Sequence, residues 1–200
     1  MADALIRCSP LQGFGDAFAA MPESARACEE PFLTMVDLWV DPSGPGGAAA
    51  GAVLGVPALP SPPSTLVDGV DAQVIWLGPQ EWLVLARDQT PEELETRLRE
   101  VVSAHGGAAV DVSAQRTTIR LRGTHARDVL AKGCSIDLHP REFRPGEAVQ
   151  TILGQAAVVL VALSDDATDY RILVRSSFAR YLAAWLLDAA GEFAASPGLW

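Results

Sequence analysis

Cysteine is scarce: Cys8, Cys28 and Cys134 are scattered over 200 residues and no two of them form a CxxC pair. The chain therefore lacks zinc and iron–sulfur spacing, and an odd, dispersed set gives no disulfide framework, so a reducing cytoplasm is the simplest setting. Histidine is as rare. The three residues show no HxH, HxxxH or HExxH spacing, and no metal site is expected from them. Basic charge is short as well, with 15 Lys and Arg against 25 Asp and Glu and a net charge of −10. That balance argues against sequence-independent nucleic-acid binding and against an anionic membrane surface. No apolar run approaches the roughly 20 residues of a membrane span. The start, MADALIRCSPLQGF, shows no basic n-region followed by an apolar h-region, so no secretory signal is expected. The glycines between 44 and 55 match neither GxxxxGK[ST] nor GxGxxG, and Pro45 removes an N–H that a phosphate loop would use.

What is present is core material: 49 % of the residues are hydrophobic and only 20 % charged. Residues 1–33 carry Leu5, Ile6, Leu11, Phe14, Phe18 and Phe32, but Pro10, Gly13, Gly15, Pro22 and Pro31 interrupt them. They read as an irregular N-terminal arm lying against its own domain or another chain. Thr34 to Val40 alternates as a strand. A loop rich in Gly and Pro follows, then two helical turns over Ala48 to Leu54, then an extended stretch with Pro60, Pro62 and Pro63. Ala72 to Leu77 and Trp82 to Ala86 form a hairpin around Gly78-Pro79-Gln80-Glu81. Thr90, Pro91 and Glu93 make a capping box before a helix with Leu94, Leu98, Val101 and Val102 on one face.

The centre, Asp111 to His139, starts as a strand in which Thr117, Ile119 and Leu121 alternate with Thr118, Arg120 and Arg122. Thr124 is expected to cap a short helix, and Gly133 to end it in the left-handed conformation. A second hairpin turns at Gly154-Gln155. A strand over Tyr170 to Arg175 leads to a helix capped by Ser176 or Ser177, with Phe178, Tyr181, Leu182, Trp185, Leu186 and Ala189 on its apolar face. The two halves echo each other as strand, short helix, proline-bearing loop, strands and long helix. The expected fold is α+β. Two related βαββα-like halves, about 34–110 and 111–191, form a single domain of antiparallel sheets with helices on one face, followed by a C-terminal tail over 192–200.

Each candidate for chemistry has a plainer reading beside it. Asp111 and Ser113 sit at a strand end, where such residues bond local backbone N–H groups. Cys134 with His125 or His139 imitates a Cys/His pair, but the negative end of a helix disfavours a thiolate. Asp165, Asp166 and Asp169 read as a solvated turn. Arg116, Arg120, Arg122 and Arg127 concentrate positive charge, with Asp128, Glu142 and Glu147 as available counter-charges and a carboxylate of a ligand or partner as the alternative. Arg175 precedes a helix N-terminus, and pairing with an acid of the chain is the expected fate. Trp76 and Trp82 either clamp a flat ligand or cover the core edge. From the residues, no catalytic, cofactor-binding or metal-ligating residue is assigned.

One pattern spans most of the chain. It comprises Trp76-Leu77-Gly78-Pro79-Gln80-Glu81-Trp82-Leu83, Asp111-Val112-Ser113, Leu121-Arg122-Gly123 with Ala126-Arg127 and Val129-Leu130, Lys132-Gly133-Cys134, Asp137-Leu138-His139-Pro140, and Val174-Arg175-Ser176-Ser177-Phe178 with Tyr181-Leu182 and Trp185-Leu186. In order and spacing it resembles the gamma subunit of bacterial heterotetrameric sarcosine oxidase. The resemblance implies a small relative of the aminomethyltransferase folate-binding fold. It implies an accessory subunit, with alpha, beta and delta subunits as partners, in an enzyme that demethylates sarcosine to glycine with hydrogen peroxide and methylenetetrahydrofolate as products. Flavins, a nicotinamide dinucleotide, tetrahydrofolate and zinc are then expected on the other subunits and none on this chain. A folate-binding, aminomethyltransferase-like protein using the Trp76 and Trp82 cleft is the alternative.

Overall fold

The computed structural model describes residues 7–194. Chain order runs α1 (Gly15–Ala19), β1 (Arg26–Glu30), β2 (Thr34–Trp39), α2 (Pro45–Leu54), β3 (Leu66–Asp68), β4 (Ala72–Gly78), β5 (Glu81–Ala86) and α3 (Pro91–Val102). It continues with β6 (Ala108–Asp111), β7 (Arg116–Arg122), α4 (Ala126–Ala131), β8 (Ala148–Leu153), β9 (Ala156–Ala162), β10 (Asp169–Arg175) and α5 (Ser176–Ala190). Two five-stranded antiparallel sheets result, in the orders β3-β4-β5-β2-β6 and β1-β7-β10-β9-β8. The mixed α+β class and its two related halves are as expected.

The halves are more intimate than their sequence order implies. β1 runs directly into β2 but pairs with β7, Arg26 opposite Arg122 and Glu30 opposite Thr118. β6 runs directly into β7 but pairs with β2, Asp111 opposite Val36. Each half is thus a lead strand, a strand, a short helix, three strands and a long helix, and each lead strand completes the other half's sheet. The arm expected to be irregular over residues 1–33 therefore contains a strand and a helical turn. Arg26-Ala27-Cys28-Glu29-Glu30 offers two inward apolar side chains at most, and only Ala27 is buried, so no alternation marked it. Leu5 and Ile6 of the expected arm, and the expected tail beyond residue 194, lie outside the described residues.

The sheets stack face to face with helices outside, giving four layers. On β5, Trp82, Val84 and Ala86 face α2 and α3, while Leu83 and Leu85 face the other sheet. On β10, Tyr170, Ile172 and Val174 face α4 and α5, while Leu173 faces inward. Both faces of the central strands are buried, which is why they read as nearly continuous apolar runs.

The capping box forms: Glu93 N donates to Thr90 Oγ1 at 3.3 Å, and Thr90 N to Glu93 Oε2 at 3.2 Å. Thr90→Ala is expected to cost about 1 kcal/mol in urea unfolding. Other cap expectations are corrected. Thr124 makes no cap bond at α4, where His125 takes the N-cap position without a side-chain bond. Neither Ser176 nor Ser177 caps α5, because Ser176 Oγ donates instead to Ala114 O at 2.9 Å. Gly133 is not among the residues with positive φ. Its requirement is space, since a Cβ there would lie 2.5 Å from Trp185 Cζ2 and 2.9 Å from Gly154 N. The buried face of α5 is rotated from the expected one, towards Ala179, Leu182, Ala183, Leu186 and Ala190, which leaves Phe178 and Tyr181 exposed.

Candidate functional site

The layer between the sheets is apolar in its middle (Met35, Ile75, Leu83, Val159, Val161 and Leu173) and charged at both ends. At one end Arg171 on β10 is buried against Glu30 on β1. Arg171 Nε donates to Glu30 Oε2 at 2.7 Å, and its Nη1 donates to Gln73 Oε1 on β4 at 3.1 Å. Arg87 also bonds Glu30, and Arg120 Nη1 lies 3.8 Å from it. Arg120 holds Asp169 through Nε and Nη2 at 2.8 and 2.5 Å. Burial alone would raise the Glu30 carboxyl, but the hydrogen bonds and charges of Arg171 and Arg87 outweigh it and hold the group below its ordinary value. This cluster joins a lead strand to its sheet and that sheet to the opposite one.

At the other end stand Asp37 on β2, Glu81 on β5, Arg116 on β7 and Arg175 on β10. Arg116 and Arg175 are directly opposite in the ladder. They border a pocket of about 340 Å³ whose remaining walls are Gln150, Thr151, Ile152, Ala157, Val158, Val159 and Leu173. Gln150 Nε2 spans to Leu77 O at 2.8 Å. Burial raises the Asp37 carboxyl despite a hydrogen bond from Trp39 and the charge of Arg116, and its Oδ1 has no partner among the described residues. Glu81 is raised by burial and by Asp37. Arg116 is lowered by burial and by Arg175.

A carboxyl raised on folding destabilises above its folded pKa, and the cost disappears as pH falls through that pKa towards the unfolded value of about 3.9. Asp37→Asn is therefore expected to unfold at higher urea than the wild type at neutral pH. The gap should close on acidification, measured as urea midpoints across a pH series.

Of the residues singled out in the sequence, Arg116 and Arg175 come together at this pocket and Arg120 and Arg122 at Asp169, while the Ser, Cys, His and remaining Asp candidates do not converge. Asp111 Oδ1 accepts from Ser113 N and Oγ at 2.8 and 2.6 Å, and Ser113 Oγ accepts from Met35 N at 2.9 Å, which is a turn joining the two halves. Cys134 is buried, its sulfur 3.9 Å from Thr151 Oγ1. His125 pairs with Asp128 at 2.8 Å and stacks on Phe193, while His139 Nδ1 accepts from Arg141 N. Asp166 closes its own turn by accepting from Thr168. The expected counter-charges are corrected: Arg120 and Arg122 face Asp169 rather than Glu142 or Glu147. Arg175, expected to pair with an acid, has no ion-pair partner among the described residues.

The tryptophan cleft is closed. Trp82 is fully buried and its Nε1 donates to Pro60 O at 2.8 Å, so the proline-rich stretch lies over it. Among the described residues no group of His, Cys, Asp or Glu could hold a metal ion, and no helix is long and apolar enough to cross a membrane. Sequence reasoning missed Glu30, Gln73 and Arg171. The only signal was the alternation of Arg171 with Tyr170 and Ile172, which puts a charge on a face otherwise carrying Leu173.

The model of the sarcosine oxidase, gamma subunit family matches residues 41–192. A sarcosine oxidase subunit gamma from Corynebacterium sp. (strain U-96) is 38 % identical over 84 % of this chain and 80 % of its own length. One from Corynebacterium sp. (strain P-1) is 33 % identical over 96 % of this chain and 94 % of its own. A chain of the heterotetrameric sarcosine oxidase from Corynebacterium sp. U-96, solved with pyrrole 2-carboxylate, superposes with a TM-score of 0.88 at 34 % identity, covering 97 % of this chain and 100 % of that one. The glycine cleavage system aminomethyltransferase T from Bartonella henselae gives a TM-score of 0.60 at 16 % identity, over 89 % of this chain and 49 % of that one. That second likeness concerns the fold alone.

Proposed function

The chain belongs to the sarcosine oxidase gamma subunit family, and from that premise we propose that it is an accessory subunit of a cytoplasmic heterotetrameric sarcosine oxidase, held by the alpha, beta and delta subunits. The observation that carries this reading is the superposition over the whole of one chain of the heterotetrameric enzyme. In this reading the chain does no redox chemistry. Oxidation of sarcosine, and the flavins, nicotinamide dinucleotide, tetrahydrofolate and zinc associated with it, belong to the other subunits. The engagement of Asp111, Ser113, Cys134, His125 and His139 in separate local contacts supports a non-catalytic role.

Co-expression with the other three subunits tests it. The chain is expected to co-purify in one complex that makes hydrogen peroxide from sarcosine. Cys134→Ala and Ser113→Ala complexes, compared per assembled complex, are expected to retain the wild-type turnover. Failure of the wild-type chain to enter the complex overturns the reading, and loss of turnover in an assembled variant overturns the non-catalytic role.

A further inference from the structure

The layer between the two sheets is a cleft, and at its mouth, the end that holds Asp37 and Glu81, Arg116 and Arg175 stand opposite each other in adjacent strands. Like charges in that position repel. The other two opposed pairs of arginines in the same sheet are relieved: Arg122 lies 3.8 Å from Asp169 while Arg26 donates to Met21 O, and Arg120 and Arg171 are answered by Asp169 and Glu30. Arg116 has Gln115 Oε1 at 3.5 Å and feels the charges of Asp37 and Glu81 across the cleft without an ion pair to either, and Arg175 has no hydrogen bond or ion pair among the described residues. In a chain with a net charge of −10, this couple nevertheless forms no ion pair among the described residues.

Beside Asp37 and Glu81, the surroundings include exposed apolar side chains. Ile152 in the pocket wall is 49 % exposed. Trp39, opposite Glu81, is 49 % exposed, and Val110, opposite Asp37, is 51 % exposed. A tryptophan and arginines amid apolar area are the composition of a protein interface centre. All the residues lining the pocket come from β7, β8, β9 and β10, so it has one wall. A free small molecule needs enclosure over most of its surface, whereas a protein segment brings the second wall with it.

We propose that this mouth docks another subunit of the enzyme, which seats an Asp or Glu carboxylate between Arg116 and Arg175 while Trp39 and Ile152 pack against its flanks. The planar fork of each guanidinium matches a carboxylate, and one carboxylate between two guanidiniums removes their repulsion. The inference rests on the reading of the chain as a subunit.

The test compares the wild-type full chain with Arg116→Gln/Arg175→Gln, measuring affinity for the complex of the other three subunits and thermal unfolding of each chain alone. The double variant is expected to bind at least about 30-fold more weakly, with most of the salt dependence between about 50 and 300 mM NaCl lost. Its own unfolding temperature is expected to stay close to the wild type, because relief of the repulsion between the arginines offsets the lost attraction of Arg116 for Asp37 and Glu81. Equal affinity of variant and wild type overturns the inference, and so does a variant that unfolds well below the wild type, which assigns the arginines to the fold. Saturable binding of succinate to the isolated chain that depends on both arginines, with assembly undiminished in the variant, overturns it in favour of a free carboxylate. Failure of the wild-type chain itself to bind the other subunits counts against the subunit reading instead.

Discussion

Replacing Glu30 by alanine is expected to lower the stability of the chain by about 3–5 kcal/mol, read from urea or thermal unfolding. The side chains of Glu30 and Arg171 are 9 % and 10 % exposed, and the bond between them is 2.7 Å long. Removing the acid leaves a guanidinium between two sheets with Gln73 as its remaining partner. The cost arises from that stranded charge more than from the lost attraction. Replacing both residues together, as Glu30→Leu/Arg171→Met, is therefore expected to recover most of the loss. A double variant as unstable as Glu30→Ala would show that the pair contributes through its attraction. The pH dependence has a definite sign. Glu30 is held below its ordinary value in the fold, so its contribution is complete above the unfolded carboxylate pKa of about 4.3 and is lost as pH falls through the folded one. Glu30→Gln is expected to flatten this part of the acid limb. The Asp37 contribution runs the other way and at higher pH, above the unfolded value of about 3.9 rather than below that of Glu30, so the two variants separate the two ends of the cleft.

The position of Glu30 explains what the sequence could and could not disclose. Elements whose signal is local were legible. The capping box at Thr90 and Glu93, the hairpin turning after Gly78 and the alternation in β7 each depend on neighbours a few residues away. The two halves were legible because their elements recur in order. The exchange of lead strands was not. β1 finds its partner some ninety residues away in β7, and Arg-Ala-Cys-Glu-Glu has neither the apolar content nor the period of a strand. The charged ends of the cleft escaped for the same reason, since Glu30, Gln73 and Arg171 lie on three strands of two sheets. Gly133 shows a subtler limit. Sequence distinguishes a position that needs glycine from one that does not, but a left-handed cap and a neighbouring indole impose the same requirement. The arginine set was visible as charge, and only the ladder shows that Arg120 and Arg122 are answered by Asp169 while Arg116 and Arg175 face each other.

The two tryptophans at the β4–β5 hairpin separate a ligand clamp from a core wall. Trp76 and Trp82 are directly opposite in the ladder, so a clamp would use both and lose binding with either. The structure gives them unequal roles. Trp82 is fully buried among residues including Leu38, Leu59 and Leu98, and its indole N–H donates to Pro60 O. Trp82→Ala is expected to cost about 3–5 kcal/mol, because a large cavity opens and the proline-rich stretch loses its tether. Trp82→Phe keeps most of the volume but leaves the Pro60 carbonyl without its donor, and an intermediate loss of about 1–3 kcal/mol is expected. Trp76 packs at the margin of the same core, and its buried Nε1 has no partner among the described residues. Trp76→Phe removes that unsatisfied donor and is expected to leave the unfolding midpoint unchanged or raised. Equal losses for the two phenylalanine variants would sink this assignment. The order Trp82→Ala, Trp82→Phe, Trp76→Phe, from most to least damaging, would fix the hairpin as the wall that carries α2, α3 and the proline-rich stretch, leaving the opposite face of the same sheet to form the cleft.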